Sequence, residues 1–162
     1  MFWQVLREER AFTLAELLAV LAVAGTLLLL VLPAVLGVLS GRSLYAAARQ
    51  MAADIRTWQQ RALAEQPELY TYEVQFNVTG ETYLLMRANT VVETRRLPVY
   101  LDLEATNFSE QVLRFNARGA PLAGGTVTLR EKLTGRRYYV IVAPVTGRVR
   151  VSPSPPSSWN DY

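Results

Sequence analysis

The residue types that most often carry out chemistry are scarce in this chain, which contains no histidine and no cysteine. Their absence removes the commonest general base, the commonest metal ligand and every thiolate nucleophile. The carboxylates of the C-terminal part show no spacing that converges on one site; they include Glu73, Glu81, Glu93, Asp102 and Glu104. We therefore predict that the chain is not an enzyme and binds no metal or cofactor.

One carboxylate has an unusual position. Glu16 lies at the edge of an apolar stretch, residues 17–39, that contains no charged residue. As an α-helix this stretch would be about 34 Å long, enough to cross a hydrocarbon core of about 30 Å. A carboxylate at the centre of a bilayer costs about 2.5–3.5 kcal/mol, so it usually has a partner there. The simpler alternative is that Glu16 only interacts with the helix dipole.

Two other interpretations of the apolar stretch compete with a membrane helix of special function. A secretory signal peptide has an apolar region of about 7–15 residues and a small-residue cleavage site, whereas this stretch is longer and the residues up to Ser40 form a weak site. A plain signal anchor has the right length but does not explain Glu16 at its edge.

The residues around Glu16 resemble the class III signal of type IV prepilins and pseudopilins; they read Arg10-Ala11-Phe12-Thr13-Leu14-Ala15-Glu16-Leu17-Leu18. The resemblance implies that a prepilin peptidase cuts between Ala11 and Phe12 and that the new amine of Phe12 is methylated. It also implies that Glu16 neutralises this amine on a neighbouring subunit during assembly. The chain departs from the family at Ala11, where glycine is usual. Pro33 falls where these helices often carry a proline, and it would bend or melt the helix.

The same resemblance implies a location and partners. The chain would cross the inner (cytoplasmic) membrane once, with its N-terminus in the cytoplasm and its head outside, before it enters a pilus or pseudopilus. The implied partners are the lipid bilayer, the prepilin peptidase, other pilins and the inner-membrane assembly platform. The arginines do not favour this orientation, because Arg7 and Arg10 precede the helix while Arg42, Arg49 and Arg56 follow it. The predicted topology therefore rests on the resemblance.

After residue 41 the pattern changes to that of an amphipathic helix. One apolar stripe recurs every three or four residues: Leu44, Ala48, Met51, Ile55, Trp58 and Ala62. Pro67 ends the pattern. We expect this stripe to pack on the protein's own β-sheet, which predicts an α+β fold in which a long N-terminal helix lies on an antiparallel β-sheet head.

The remaining sequence alternates apolar and polar residues in the manner of strands. Strands are predicted at 70–78, 82–87, 112–116, 126–133, 138–143 and 148–151, with a weaker edge region at 91–103 that Pro98 interrupts. The predicted organisation is a leader (1–11), a transmembrane or filament-core helix (12–41), an amphipathic stalk helix (42–67), a β-rich globular head (68–151) and a disordered Pro/Ser tail (152–162).

The order of the C-terminal strands resembles the GspH/FimT group of pilin-like proteins. The matching segments are Leu113-Arg114-Phe115, Gly119, Val127-Thr128-Leu129, Tyr139-Val140-Ile141-Val142 and Gly147-Arg148-Val149-Arg150. This resemblance implies a minor pilin or pseudopilin of a type II secretion pseudopilus or a type IV pilus. The alternative is a FimT-like minor pilin that binds DNA during uptake, through Arg148 and Arg150 with Arg136 and Arg137 nearby. These arginines would otherwise be a charged, solvated strand edge.

Overall fold

The computed structural model describes residues 14–65 and 72–157, and for residues 30–41 it describes only the backbone. The chain divides into two compact units, residues 1–38 and 39–162. Ala11, Phe12, Pro67 and the end of the predicted tail, residues 158–162, lie outside the described residues.

One long helix and eight strands form the described structure. Helix α1 is Leu14–Glu65. The strands are β1 (Tyr72–Asn77), β2 (Thr82–Arg87), β3 (Thr90–Arg96), β4 (Leu101–Thr106), β5 (Val112–Phe115), β6 (Gly125–Glu131), β7 (Arg137–Val142) and β8 (Val149–Ser152), with a short 3-10 turn at Ser109–Gln111. The predicted α+β class is confirmed.

The strands form two antiparallel sheets of four. The first sheet has the order β3-β2-β1-β5, and the second has the order β4-β6-β7-β8. The sequence pattern predicted a β-sheet head but did not separate the two sheets, because strand alternation says which face is buried and not which strands pair.

The second half of α1 packs on both sheets through the predicted stripe. All six stripe residues are buried, with at most 2% exposed surface, and belong to the same core as residues of both sheets. Trp58 donates a hydrogen bond to the Met86 carbonyl of the first sheet at 2.9 Å. Tyr45 contacts Tyr138 of the second sheet, with ring centroids 5.4 Å apart. Burying an apolar side chain of the size of Leu44, Met51 or Ile55 stabilises a fold by about 1.5–3 kcal/mol.

The region predicted as one weak strand, residues 91–103, is two strands in different sheets. β3 is an edge of the first sheet, and β4 is an edge of the second. Pro98 lies between them and has no backbone N–H, so it cannot continue a ladder. Its carbonyl instead accepts a hydrogen bond from the Leu101 amide at 2.8 Å, which closes a turn.

The predicted tail also begins later than residue 152. Ser152 belongs to β8 and pairs with Tyr139. Its hydroxyl accepts a hydrogen bond from the Ser154 amide at 3.1 Å. Pro155 and Pro156 then line a groove over the second sheet. Residues 152–156 are therefore part of the folded head, which the Pro/Ser composition alone did not indicate.

Candidate functional site

The first half of α1 has an apolar surface on every side. All sixteen residues from 14 to 29 are exposed, and the large apolar ones expose between 55% (Leu17) and 78% (Leu14) of their surface. A helix that rests on its own domain has one apolar face and one polar face, whereas a helix that is apolar all round is buried in protein or lipid. This segment is therefore a surface that requires a partner.

A membrane helix was predicted over residues 12–41. Taken over the residues that the structure describes, no helix combines the length and apolar character that crossing a bilayer requires.

Glu16 lies in the first turn of α1 and is exposed. The amides of a helix's first turn have no partner within the helix, and the dipole there favours a negative charge. The position is compatible with either alternative for Glu16, the helix-terminal carboxylate or the partner of an amine. The amine itself would belong to Phe12, which lies outside the described residues, so the assembly role stays a prediction.

Pro33 lies inside α1, and the assigned helix continues through it. The helix of the isolated chain is therefore not interrupted at this residue. A bend or a local melting of the helix at Pro33 during assembly stays a prediction.

The Gly-Arg-Val-Arg segment begins in a tight turn between β7 and β8. Gly147 has a positive φ of 63°, and its amide donates to the Ala143 carbonyl at 3.0 Å. A Cβ atom at Gly147 would clash with the side-chain amide nitrogen of Gln59, so glycine lets this turn pack against α1. Arg148 follows the turn and is exposed, and Arg150 lies in β8 opposite Ile141.

The other two predicted arginines lie at the opposite end of β7. Arg137 begins this strand, four residues before Ile141, which corresponds to about 14 Å along a strand. Its guanidinium donates to both Glu104 oxygens, at 2.6 and 2.8 Å. This pairing raises the pKa of Arg137 and lowers the pKa of Glu104. The four arginines thus do not form one patch, and Arg137 is already paired with the Glu104 carboxylate.

A polar cluster that the sequence did not single out connects α1 to the first sheet. Asp54 is 8% exposed and accepts a hydrogen bond from the Tyr83 hydroxyl at 2.6 Å, while Arg95 Nε lies 3.4 Å away. Burial, together with the hydrogen bond to Asp54, raises the pKa of Tyr83. Asp54 follows Met51 by three residues and precedes Trp58 by four, so its spacing already placed it beside the apolar stripe.

Two known proteins resemble this chain, and no family model matches it. The competence protein ComGD of Bacillus subtilis is 32% identical over 146 residues, which cover 90% of this chain and 95% of ComGD. The minor pseudopilin EpsH from the type 2 secretion system of Vibrio cholerae superposes with a TM-score of 0.55 at 14% identity, covering 68% of this chain and 96% of EpsH. At that identity, the likeness to EpsH is a likeness of fold.

Proposed function

The chain belongs to the type IV pilin-like proteins as a minor pilin or pseudopilin, and we propose that it enters a filament through the exposed apolar half of α1. The observation that carries this proposal is the uninterrupted exposure of residues 14–29. Helices of neighbouring subunits would bury this surface in the filament. Before assembly, lipid would bury it, with the chain anchored in the inner membrane and the head outside.

We further propose that maturation creates the positive charge with which Glu16 pairs during assembly. Cleavage between Ala11 and Phe12 would leave a new amine four residues before Glu16, to be methylated by the same processing. In a filament core of low dielectric, attraction between this amine and the Glu16 carboxylate of a neighbour is screened far less than at a surface. The pair would select the register in which one helix docks beside another.

Replacement of Glu16 tests this function. Glu16→Ala should leave cleavage and membrane insertion intact, since a more apolar helix inserts at least as well. It should nevertheless be lost from sheared filaments, because a buried amine without its partner costs about 3–5 kcal/mol. Glu16→Gln should incorporate to an intermediate extent, since it keeps the shape and a hydrogen bond but not the charge. Cleavage, membrane fraction and filament co-purification should be followed for each variant.

The matched control removes an exposed carboxylate from the head. Glu110→Ala breaks only an ion pair with Arg114 at the surface, with the oxygen 3.0 Å from the guanidinium, and should incorporate normally. Normal incorporation of Glu16→Ala would return Glu16 to the role of a helix-terminal carboxylate.

DNA binding in competence is a second candidate. It is supported by the similarity to a protein named for competence and by exposed Arg148 behind the Gly147 turn. Arg148→Ala should weaken binding of the full chain to DNA and reduce its salt dependence by about one counterion, measured by gel shift over a salt series. Arg118→Ala, another exposed arginine, is the control. Equal binding by both variants would contradict a role for Arg148.

The comparisons give indirect support to the prediction that the chain is not an enzyme. The two similar proteins are named as a competence protein and a minor pseudopilin. The carboxylates with lowered pKa values, Glu104 and Glu131, are explained by Arg137 and Thr134 beside them.

A further inference from the structure

The unit of residues 39–162 has a distinct end at which α1 enters it. Residues 97–100, between β3 and β4, lie beside the first turns of this part of the helix. Residues 132–136, between β6 and β7, adjoin that loop. A groove of ≈ 430 Å³ is shared by Ser43, Ala46 and Ala47 of the helix and by Leu97, Pro98 and Tyr100 of the first loop. The Lys132 amide joins the two loops by donating to the Tyr100 carbonyl at 3.0 Å.

We call this end the entry face and define it by seven exposed residues: Arg42, Tyr45, Arg96, Val99, Tyr100, Leu133 and Arg136. Its two loop tips are apolar. Val99 is 84% exposed and Leu133 is 80% exposed, although turns normally present polar residues. Tyr45 and Tyr100 stand beside them, 42% and 43% exposed. Tyrosine combines an apolar ring with a polar hydroxyl, which suits the boundary between lipid and water.

The charge of the entry face is positive. Within the described residues, Arg42, Arg96 and Arg136 form no side-chain ion pair, so their charges are not compensated by a carboxylate in contact.

The nearby carboxylates offset these charges only in part. Glu81 is paired with Lys132, whose Nζ lies 2.5 Å from its oxygen. Glu131 is fully buried and accepts hydrogen bonds from the amides of Leu133 and Thr134 at 3.0 and 2.7 Å. Glu131 keeps its negative charge, which interacts with Arg136 and offsets part of the positive charge of this face. Three arginines against this one carboxylate leave the entry face positive.

We propose that the entry face docks on anionic lipid headgroups, with Val99 and Leu133 inserted between them. The inference rests on the proposed membrane anchor, because the apolar stretch 17–39 ends three residues before Arg42. A basic surface with projecting apolar tips fits a membrane interface, which offers negative charge and apolar depth together. Docking fixes the orientation of the head on the membrane, and the face must be released when a subunit enters the filament.

The test uses the full chain in lipid nanodiscs, and the lack of native cysteine permits a single label. Leu133→Cys carries an environment-sensitive fluorophore. The control label is at Leu122→Cys, where the leucine is exposed. Leu122 lies three residues after Gly119, and Gly119 packs against Gln59 and Leu63 of α1, far from the entry face. In discs with anionic lipid, spin-labelled lipids should quench the label at 133 and not the label at 122. Discs of neutral lipid should show much weaker quenching at 133.

Charge reversal supplies the second measurement. Each arginine near an anionic surface is worth about a five-fold change in the docking equilibrium. Arg96→Glu with Arg136→Glu should therefore shift that equilibrium about 25-fold or more towards the undocked head. Arg61→Glu with Arg118→Glu, an equal charge change at exposed arginines elsewhere, should leave it unchanged.

Two results would overturn the proposal, and they are distinguishable. If the chain co-elutes with nanodiscs but the label at 133 is quenched no more than the label at 122, or equally in neutral and anionic discs, the head does not dock as proposed while the anchor stands. If the chain co-elutes with neither kind of disc, the membrane anchor itself is wrong and the docking proposal falls with it.

Discussion

Residues 14–29 and 44–62 belong to one helix, yet they differ in what surrounds them. Every residue of the first segment is exposed. In the second segment, the stripe from Leu44 to Ala62 is buried against two sheets of the same chain. The difference follows from the distribution of polar residues around the helix, because only the second segment has a polar face for solvent. One half of the helix therefore serves the fold of the head, and the other half stays exposed, as the proposed function requires.

The contacts of the second half explain why it is not available to a partner. Arg56 donates to the Val149 carbonyl of β8 at 2.6 Å, and Tyr83 of β2 donates to Asp54 at 2.6 Å. The helix is thus hydrogen-bonded to both sheets. A partner could bind this face only if these hydrogen bonds and the packing between the helix and the two sheets were broken.

The largest effect on the stability of the head is expected from shortening a buried side chain in the second half of α1. The same change in the exposed first half should have no effect. Ile55→Ala should lower the free energy of unfolding of the head by about 2–5 kcal/mol, because Ile55 is fully buried. Leu21→Ala should leave it unchanged, since Leu21 is 59% exposed. Thermal unfolding of the full chain in detergent, followed by near-ultraviolet circular dichroism, measures both. Equal losses would remove the distinction between the two halves.

A smaller effect is expected from the turn that packs on the second half. Gly147 and Gly135 both have positive φ angles, so alanine strains either one by about 1–2 kcal/mol. Of the two, only Gly147 has atoms close to the added Cβ: the side-chain amide of Gln59 in α1, and Pro121 Cδ at 2.9 Å. The end of the Gln59 side chain can swing away, but the Pro121 ring cannot, so Gly147→Ala should destabilise the head by about 1 kcal/mol beyond Gly135→Ala. Equal unfolding temperatures for the two variants would mean that the turn does not rest on the helix.

The smallest effect is a dependence of head stability on pH. The Thr134 hydroxyl holds the pKa of Glu131 below its usual range, and Arg137 does the same for the pKa of Glu104. Both carboxylates therefore stabilise the folded head above about pH 4.3, the ordinary value for glutamate, and this contribution is lost as the pH falls through the lowered values. Unfolding temperatures between pH 7 and pH 3 should fall less steeply in a Glu104→Gln, Glu131→Gln variant. An unchanged slope would contradict the assignment.

Local patterns predicted much of this fold. The stripe of α1 and strand 82–87 are where the periodicity placed them, because each pattern depends on neighbours within a few residues. The division into two sheets depended on long-range pairing and was not visible. The same limit applies to the arginines: Arg137 is held by Glu104, thirty-three residues away, and no spacing rule indicates that contact. Asp54 is different, since its place beside the stripe was present in the sequence.

The most direct test is to identify the N-terminal residue of the protein as it occurs in membranes and in filaments. Mass spectrometry of the chain recovered from membranes and from sheared filaments should find that it begins at a methylated Phe12, with residues 1–11 removed and the apolar half of α1 intact. An intact Met1 in a host with a prepilin peptidase, or a chain cut near Ser40 and so lacking residues 14–29, would contradict the claim that this half of the helix enters the filament.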